Sequence, residues 1–167
     1  MNRANLTIFL DLEETLIDDW FAGNWLPEQA DAILDCINSR ILELHPGAMS
    51  LGLMSWAVEH VDDKLAFIRR FSDAIENHFD LKFRSEFILS VQDWRRIINR
   101  TSIINFSNED FNDFATKENV VFWLRHANEN LFPIGHIILV DDTISHGDKI
   151  VTDSRVIEFI NPKQLTG

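Results

Sequence analysis

A single cysteine, Cys36, stands in 167 residues. That excludes an internal disulfide and a thiolate zinc site, and it fits a reducing compartment. Glycine and proline number only 6 and 4, too few for a collagen-like or low-complexity chain. No apolar run approaches the ~20 residues that a membrane-spanning helix needs. The opening stretch, MNRANLTIFLDLEET, carries one Arg and an apolar run cut short by Asp11. It reads neither as a signal peptide nor as a membrane span, and the expected location is cytoplasmic. Positive charge is scarce, with 15 Lys and Arg against 27 Asp and Glu and a formal net charge of -12. A field of that sign repels phosphate backbones and argues against non-specific nucleic-acid binding. A small anion can still enter a pocket made locally positive by a bound cation. Tyrosine is absent beside 13 Phe and 5 Trp, an imbalance with no evident physical cause.

What is present suits one folded domain over residues 1–167, since 46% of the residues are hydrophobic and 25% charged and the length supports a sizeable core. Leu6–Leu10, LTIFL, is a short apolar run of strand formers. Asp18–Asn24 reads as a loop. Pro27 opens a helix to about Leu44, with Ala30, Ile33, Leu34, Ile37, Ile41 and Leu44 on one face; His45-Pro46-Gly47 ends it. A second strand is expected over Met49–Ser55 and a helix over Ala57–Phe79. Phe87–Val91 reads as a third strand. The stretch 93–116 is irregular, with a short helix around Trp94, Ile97 and Ile98, and reads as a small insert over the sheet edge. A helix is expected over Glu118–Asn130, and strands over His136–Val140 and Val156–Ile160.

Strands alternating with helices predict an α/β fold, a three-layer Rossmann-like domain with a mostly parallel central sheet. Ligands bind such sheets beyond the carboxyl ends of the strands. Two apolar strands end there in acids, LTIFL in Asp11 and HIILV in Asp141-Asp142, while a third candidate ends at Ser55. Carboxylates gathered at one sheet end repel one another unless a cation lies among them. An all-oxygen ligand set suits a hard cation such as Mg²⁺.

These residues resemble the haloacid dehalogenase-like (HAD) hydrolases. The first motif of that family is an apolar strand followed by Asp-x-Asp-x-Thr, and here Asp11-Leu12-Glu13-Glu14-Thr15 stands in its place. The second, a Ser or Thr ending the second strand, is matched by Ser55. The third, a Lys or Arg ahead of the fourth strand, is matched by Lys117. The fourth, an acidic pair ending that strand, is matched by Asp141-Asp142. The four occur in the family's order across most of the chain, and the first and last are specific. The resemblance implies a Mg²⁺-dependent phosphatase acting on a small phosphorylated substrate, a nucleotide or sugar phosphate among the candidates, through an aspartyl-phosphate on Asp11. Mg²⁺ would be held by Asp11, Asp142 and the backbone carbonyl of Glu13, with Asp141 adjusting or sharing the coordination. Ser55 and Lys117 would hold the phosphate, Thr15 would lie in the substrate-binding motif, and Asp148 is a further candidate contact.

The chain departs from the family at Glu13, where phosphatases carry Asp as the general acid/base, and at Glu14, where Gly is usual. One more methylene moves the acid by about a bond length, and a misplacement of about 1 Å can cost roughly a hundredfold in rate. A working enzyme, a slow one, and an impaired descendant that binds phosphate ligands or a protein partner all remain open. The short segment between the first motif and the second strand leaves no room for a large cap. Trp20, Phe21 and Trp25 are candidates for a small flap, with core packing as the alternative. A response-regulator receiver gathers similar residues, but its acidic pair comes first, whereas Lys117 here precedes Asp141-Asp142. A toprim-type nuclease is disfavoured by the charge. The arginine pairs, Arg69-Arg70 and Arg95-Arg96, read as solvated faces. Nothing in the sequence fixes an oligomeric state.

Overall fold

A computed structural model of the chain describes residues 3–101, 117, 121, 135–144, 146–152 and 155–165. Six strands form one sheet: β1 (Asn5–Leu10), β2 (Met49–Met54), β3 (Phe83–Leu89), β4 (Gly135–Val140), β5 (Lys149–Thr152) and β6 (Arg155–Ile160). Their spatial order is β3-β2-β1-β4-β6-β5. Every neighbouring pair is parallel except β5 with β6. The architecture is therefore the expected α/β, Rossmann-like arrangement with a mostly parallel sheet. No described helix is long and apolar enough to cross a membrane.

Alternation along the strands builds two cores. Leu6, Ile8 and Leu10 of β1 face one side, together with Leu51, Leu53, Ile138 and Val140. Helix α1 (Pro27–Leu44) covers them with Ala30, Ile33 and Ile37. Phe9, Leu139, Ile157 and Phe159 face the other side, with Trp94 and Ile97 of α4 (Val91–Thr101) and with Val121. A strand buried on both faces reads as a continuous apolar run, which is why LTIFL and HIILV stand out in the sequence.

Helix α1 starts with Pro27 at its first turn, where a missing N–H costs nothing, and ends at His45, which is left-handed with φ 47° and donates its amide to the Ile41 carbonyl. The helix expected over Ala57–Phe79 begins later, as α2 (Val61–Phe67), passes through a π-helical turn (Ile68–Ser72) and continues as α3 (Asp73–Phe79). Asp63 causes the late start. Its Oδ2 accepts the amides of Glu59 and His60 at 3.1 and 3.0 Å, closing the N-terminus at His60. The π-turn rotates the helix so that Phe67, Phe71 and Ile75 all reach the first core.

Strand β3 begins four residues before the expected Phe87. Its first half, Phe83-Arg84-Ser85-Glu86, is largely exposed, and only Phe83 of it packs against the first core. Glu76 Oε2 fixes this half by accepting the Phe83 amide at 2.7 Å. At its other end β3 stops at Leu89, because Ser90 and Asp93 exchange side chain-to-amide hydrogen bonds that cap α4. Strand β5, KIVT, was not expected at all. It is an edge strand paired on one side only, and Val151 is 65% exposed, so burial left no pattern to read. The helix expected over Glu118–Asn130 and most of the insert at 93–116 lie outside the described residues. Of that stretch, Lys117 and Val121 are described, both helical and buried.

Gly52 in β2 is demanded by packing. A Cβ there would sit 2.6 Å from two carbons of the Phe9 ring and 3.1 Å from the Phe87 carbonyl oxygen. The pairing of β2 with β3 is also irregular between Leu51 and Leu53. Phe9 is fully buried and cannot yield without opening the second core. Gly52→Ala is therefore expected to destabilise the fold by about 1–3 kcal/mol, the usual cost of overpacking, read as a lower urea midpoint at unchanged slope.

Candidate active site

The site forms where β1 and β4 lie side by side. Their register pairs Leu10 with Val140, so Asp11 and Asp141 leave the sheet together. Each extends the ladder by one bond, Asp11 N to the Val140 carbonyl and Asp141 N to the Ile160 carbonyl, both at 3.0 Å. The chain after Asp11 turns back at once, and the Leu12 carbonyl accepts the amides of Thr15, Leu16 and Ile17. Glu14 takes a left-handed conformation with φ 59°. A side chain there is strained where glycine would not be.

That turn places Thr15 beneath Asp11. Its hydroxyl donates to Asp11 Oδ2 at 3.1 Å. Lys117 Nζ donates to Asp11 Oδ1 at 2.7 Å and also to Asp141 Oδ2. Asp141 Oδ1 accepts the amide and the hydroxyl of Thr143 at 2.8 and 2.6 Å. One buried ammonium thus joins two buried carboxylates (4%, 5% and 0% exposed for Lys117, Asp11 and Asp141). Asp142 stands beside them, half-buried. Asp11, Asp141 and Asp142 each offer an oxygen within 4.8 Å of the others.

A cavity of about 380 Å³ opens above this cluster. Asp11, Glu13, Ser55, Lys117, Asp141 and Asp142 all line it, so six of the residues singled out from the sequence meet in one place. Ser55 Oγ accepts the Ala57 amide at 3.2 Å, and among the described residues its hydroxyl donates to nothing. Glu13 lines the cavity but stands outside the close carboxylate triad; its Oε2 accepts the Trp20 amide at 3.0 Å. Thr15 is fully buried and does not line the cavity, so its contact is with Asp11. Asp148 is exposed and lies outside the lining; its carbonyl pairs with the Phe159 amide.

The aromatic flap divides. Trp20 packs on Phe71, with ring centroids 5.6 Å apart, and Trp25 meets His78 edge-on at 5.3 Å. Both therefore rest against the first core, as the packing alternative has it. Phe21 is 91% exposed. Among the described residues, the aromatic that lines the cavity is Trp56, held edge-on against buried Trp94 at 4.9 Å. Lys163 is a second addition. Its Nζ reaches Glu14 Oε2 at 3.2 Å and Asp142 Oδ2 at 3.3 Å. Both residues follow parallel strands, Trp56 after β2 and Lys163 after β6. The strand-end rule that finds Asp11 and Asp141 would have found them too.

Charge governs what this cavity can accept. Seven carboxylates and one ammonium line it among the described residues. Burial pushes the Asp11 carboxyl up to about 7, against the pull of Lys117. Burial also raises Asp142. The Lys163 hydrogen bond holds exposed Glu14 below the usual carboxylate range. An all-oxygen set of three close carboxylates, two of them reluctant to ionise, fits a hard divalent cation, which would restore their charged forms. No family model, curated protein or solved structure matches the chain.

The titration has a definite sign. Unfolded, Asp11 ionises near its ordinary 3.8; folded and metal-free, it keeps its proton to about 7. The folded state then holds more protons between these values, so this group's contribution to stability falls as pH rises through that window. A cation must displace the same proton. A divalent cation bound by these carboxylates is therefore expected to bind more tightly as pH rises from about 6 to about 8 and to release protons as it binds. Calorimetry in buffers of differing ionisation enthalpy measures this directly.

Proposed function

We propose that the protein is a Mg²⁺-dependent phosphatase of the HAD type that hydrolyses a small phosphorylated compound through Asp11. The observation that carries this reading is the Lys117 ammonium shared between Asp11 and Asp141, with Asp142 close enough to complete a cation site. Buried carboxylates with a specific charge partner in a cleft are a physical signature of a functional site.

Asp11, Asp141 and Asp142 would hold Mg²⁺, which when bound offsets the repulsion between the cavity's carboxylates and a phosphate. A carboxylate oxygen of Asp11 attacks phosphorus, the bond to the leaving oxygen breaks, and an acyl phosphate forms on Asp11. The Glu13 carboxyl gives its proton to the leaving oxygen; as carboxylate it then takes a proton from the water that attacks the same phosphorus. Phosphate departs and the Asp11 carboxylate is restored. Thr15 holds Asp11 in one rotamer throughout. Lys117 balances the charge on Asp11 and the transferring group, and the Ser55 hydroxyl is a ready donor to a phosphate oxygen. The Trp56 face suits a planar group on the substrate, a nucleobase before a sugar.

A second reading, an impaired protein that binds phosphate ligands without turning them over, draws support from the Trp20 amide bond to Glu13, which turns one acid oxygen toward the loop. Magnesium-dependent hydrolysis of an aryl phosphate separates the two. The expected result is measurable turnover, lost in Asp11→Asn and in Lys117→Ala, and reduced about 10²–10⁴-fold in Glu13→Gln. No turnover by the parent chain together with turnover by Glu13→Asp would establish the binding-only reading.

A further inference from the structure

The opposite end of the sheet carries a feature that the acidic cavity does not use. A second cavity, of about 190 Å³, opens at the amino ends of β1, β2 and β4. It lies a strand length, about 20 Å, from Asp11. Lys82, Arg84 and Arg155 line it together with Asn5, Thr7 and Ser50, and no carboxylate does so among the described residues. On a chain where acids outnumber Lys and Arg by 27 to 15, a wall of three cations without an acid needs a reason.

Existing partners do not exhaust these cations. Arg84 is held by Glu86 through Nε at 3.0 Å, and Lys82 reaches Glu76 only at 3.8 Å while remaining 85% exposed. Arg155 differs from both. Its Nε is shielded from solvent and has no hydrogen-bond partner among the described residues. Arg155 lines the cavity, and the natural partner of a guanidinium is an oxyanion, which its planar fork can grip through two N–H groups. The neighbouring groups supply further donors. Asn5 Oδ1 accepts the Ala48 amide at 3.0 Å, which leaves its NH₂ as a donor, and Thr7 and Ser50 add hydroxyls.

We propose that this cavity is a binding site for a phosphate-sized oxyanion, with Arg155 as its anchor. The volume is below the ~300 Å³ at which drug-sized ligand pockets begin, so the ligand is a small anion or the anionic end of a larger one. The site stands independently of any phosphatase activity at Asp11.

Inorganic phosphate, added to the metal-free full chain and followed by amide NMR against chloride at equal ionic strength, tests this. Without a cation the acidic cavity repels phosphate, so the two ends are separable. Phosphate is expected to shift the amides of Asn5, Thr7, Ser50 and Ile137 saturably, beyond any effect of chloride. Arg155→Gln should weaken binding at least tenfold, and Asp11→Asn should leave it unchanged. Ser50→Glu, which puts a carboxylate into the wall, should abolish binding and serves as the deciding variant if Arg155→Gln does not fold. Shifts equal to those of chloride, or binding undiminished in the folded variant, would overturn the proposal. So would loss of the shifts in Asp11→Asn.

Discussion

The parallel register of β1 on β4 brings two carboxylates to adjacent strand ends inside the protein, where neither can be left alone. Leu10 faces Val140 across the ladder, and one residue later the sheet releases Asp11 and Asp141 side by side. Their repulsion in a low-dielectric setting has to be answered by positive charge. Lys117 supplies one such charge from beyond the sheet, and Lys163 supplies another at the rim through Asp142 and Glu14. Seven acids around two ammonium groups remain short of neutrality. The residual negative charge suits a divalent cation, and the proposed phosphate substrate would need that cation in place. The fold, the proposed metal site and the proposed chemistry thus follow from one pairing of strands.

The sheet separates its charges by end. The carboxyl ends of the strands gather acids, while the amino ends of the same strands gather Lys82, Arg84 and Arg155. Between them lie the continuous apolar stretches of β1 and β4, buried on both faces. A net charge of -12 therefore hides two local fields of opposite sign. Average charge predicts long-range steering, but the local fields decide which ligands are held.

Most of the site was legible in the sequence because one rule, that ligands meet parallel strands at their carboxyl ends, applies to short apolar runs that are easy to see. Asp11, Ser55 and Asp141-Asp142 each follow such a run directly. Lys117 came from family resemblance, since nothing in the local pattern around it marks a buried cation. Lys163 and Trp56 obey the same strand-end rule but do not stand out in the sequence, since neither is an acid or a nucleophile. The fold was legible wherever burial is two-sided. It became obscure in the exposed first half of β3 and in edge strand β5, where the chain is held by hydrogen bonds rather than by an apolar face. Boundaries shifted where one side chain intervenes, as Asp63 does before α2. Thr15 and Trp20 show the remaining limit: sequence order places a residue near a site, but it cannot tell support beneath the site from a wall of it.

Strand β1 lies between β2 and β4, and its two neighbours arrive at very different times. During synthesis β2 emerges soon after β1, whereas β4 follows only when most of the chain has been made. Until then the nascent polypeptide presents LTIFL, its most thoroughly apolar strand, with one row of amides and carbonyls unclaimed. Such an open edge is a template for other strands, and pairings this distant in sequence form slowly. The central strand that organises the finished molecule is thus the segment most in need of shielding while the ribosome is still at work.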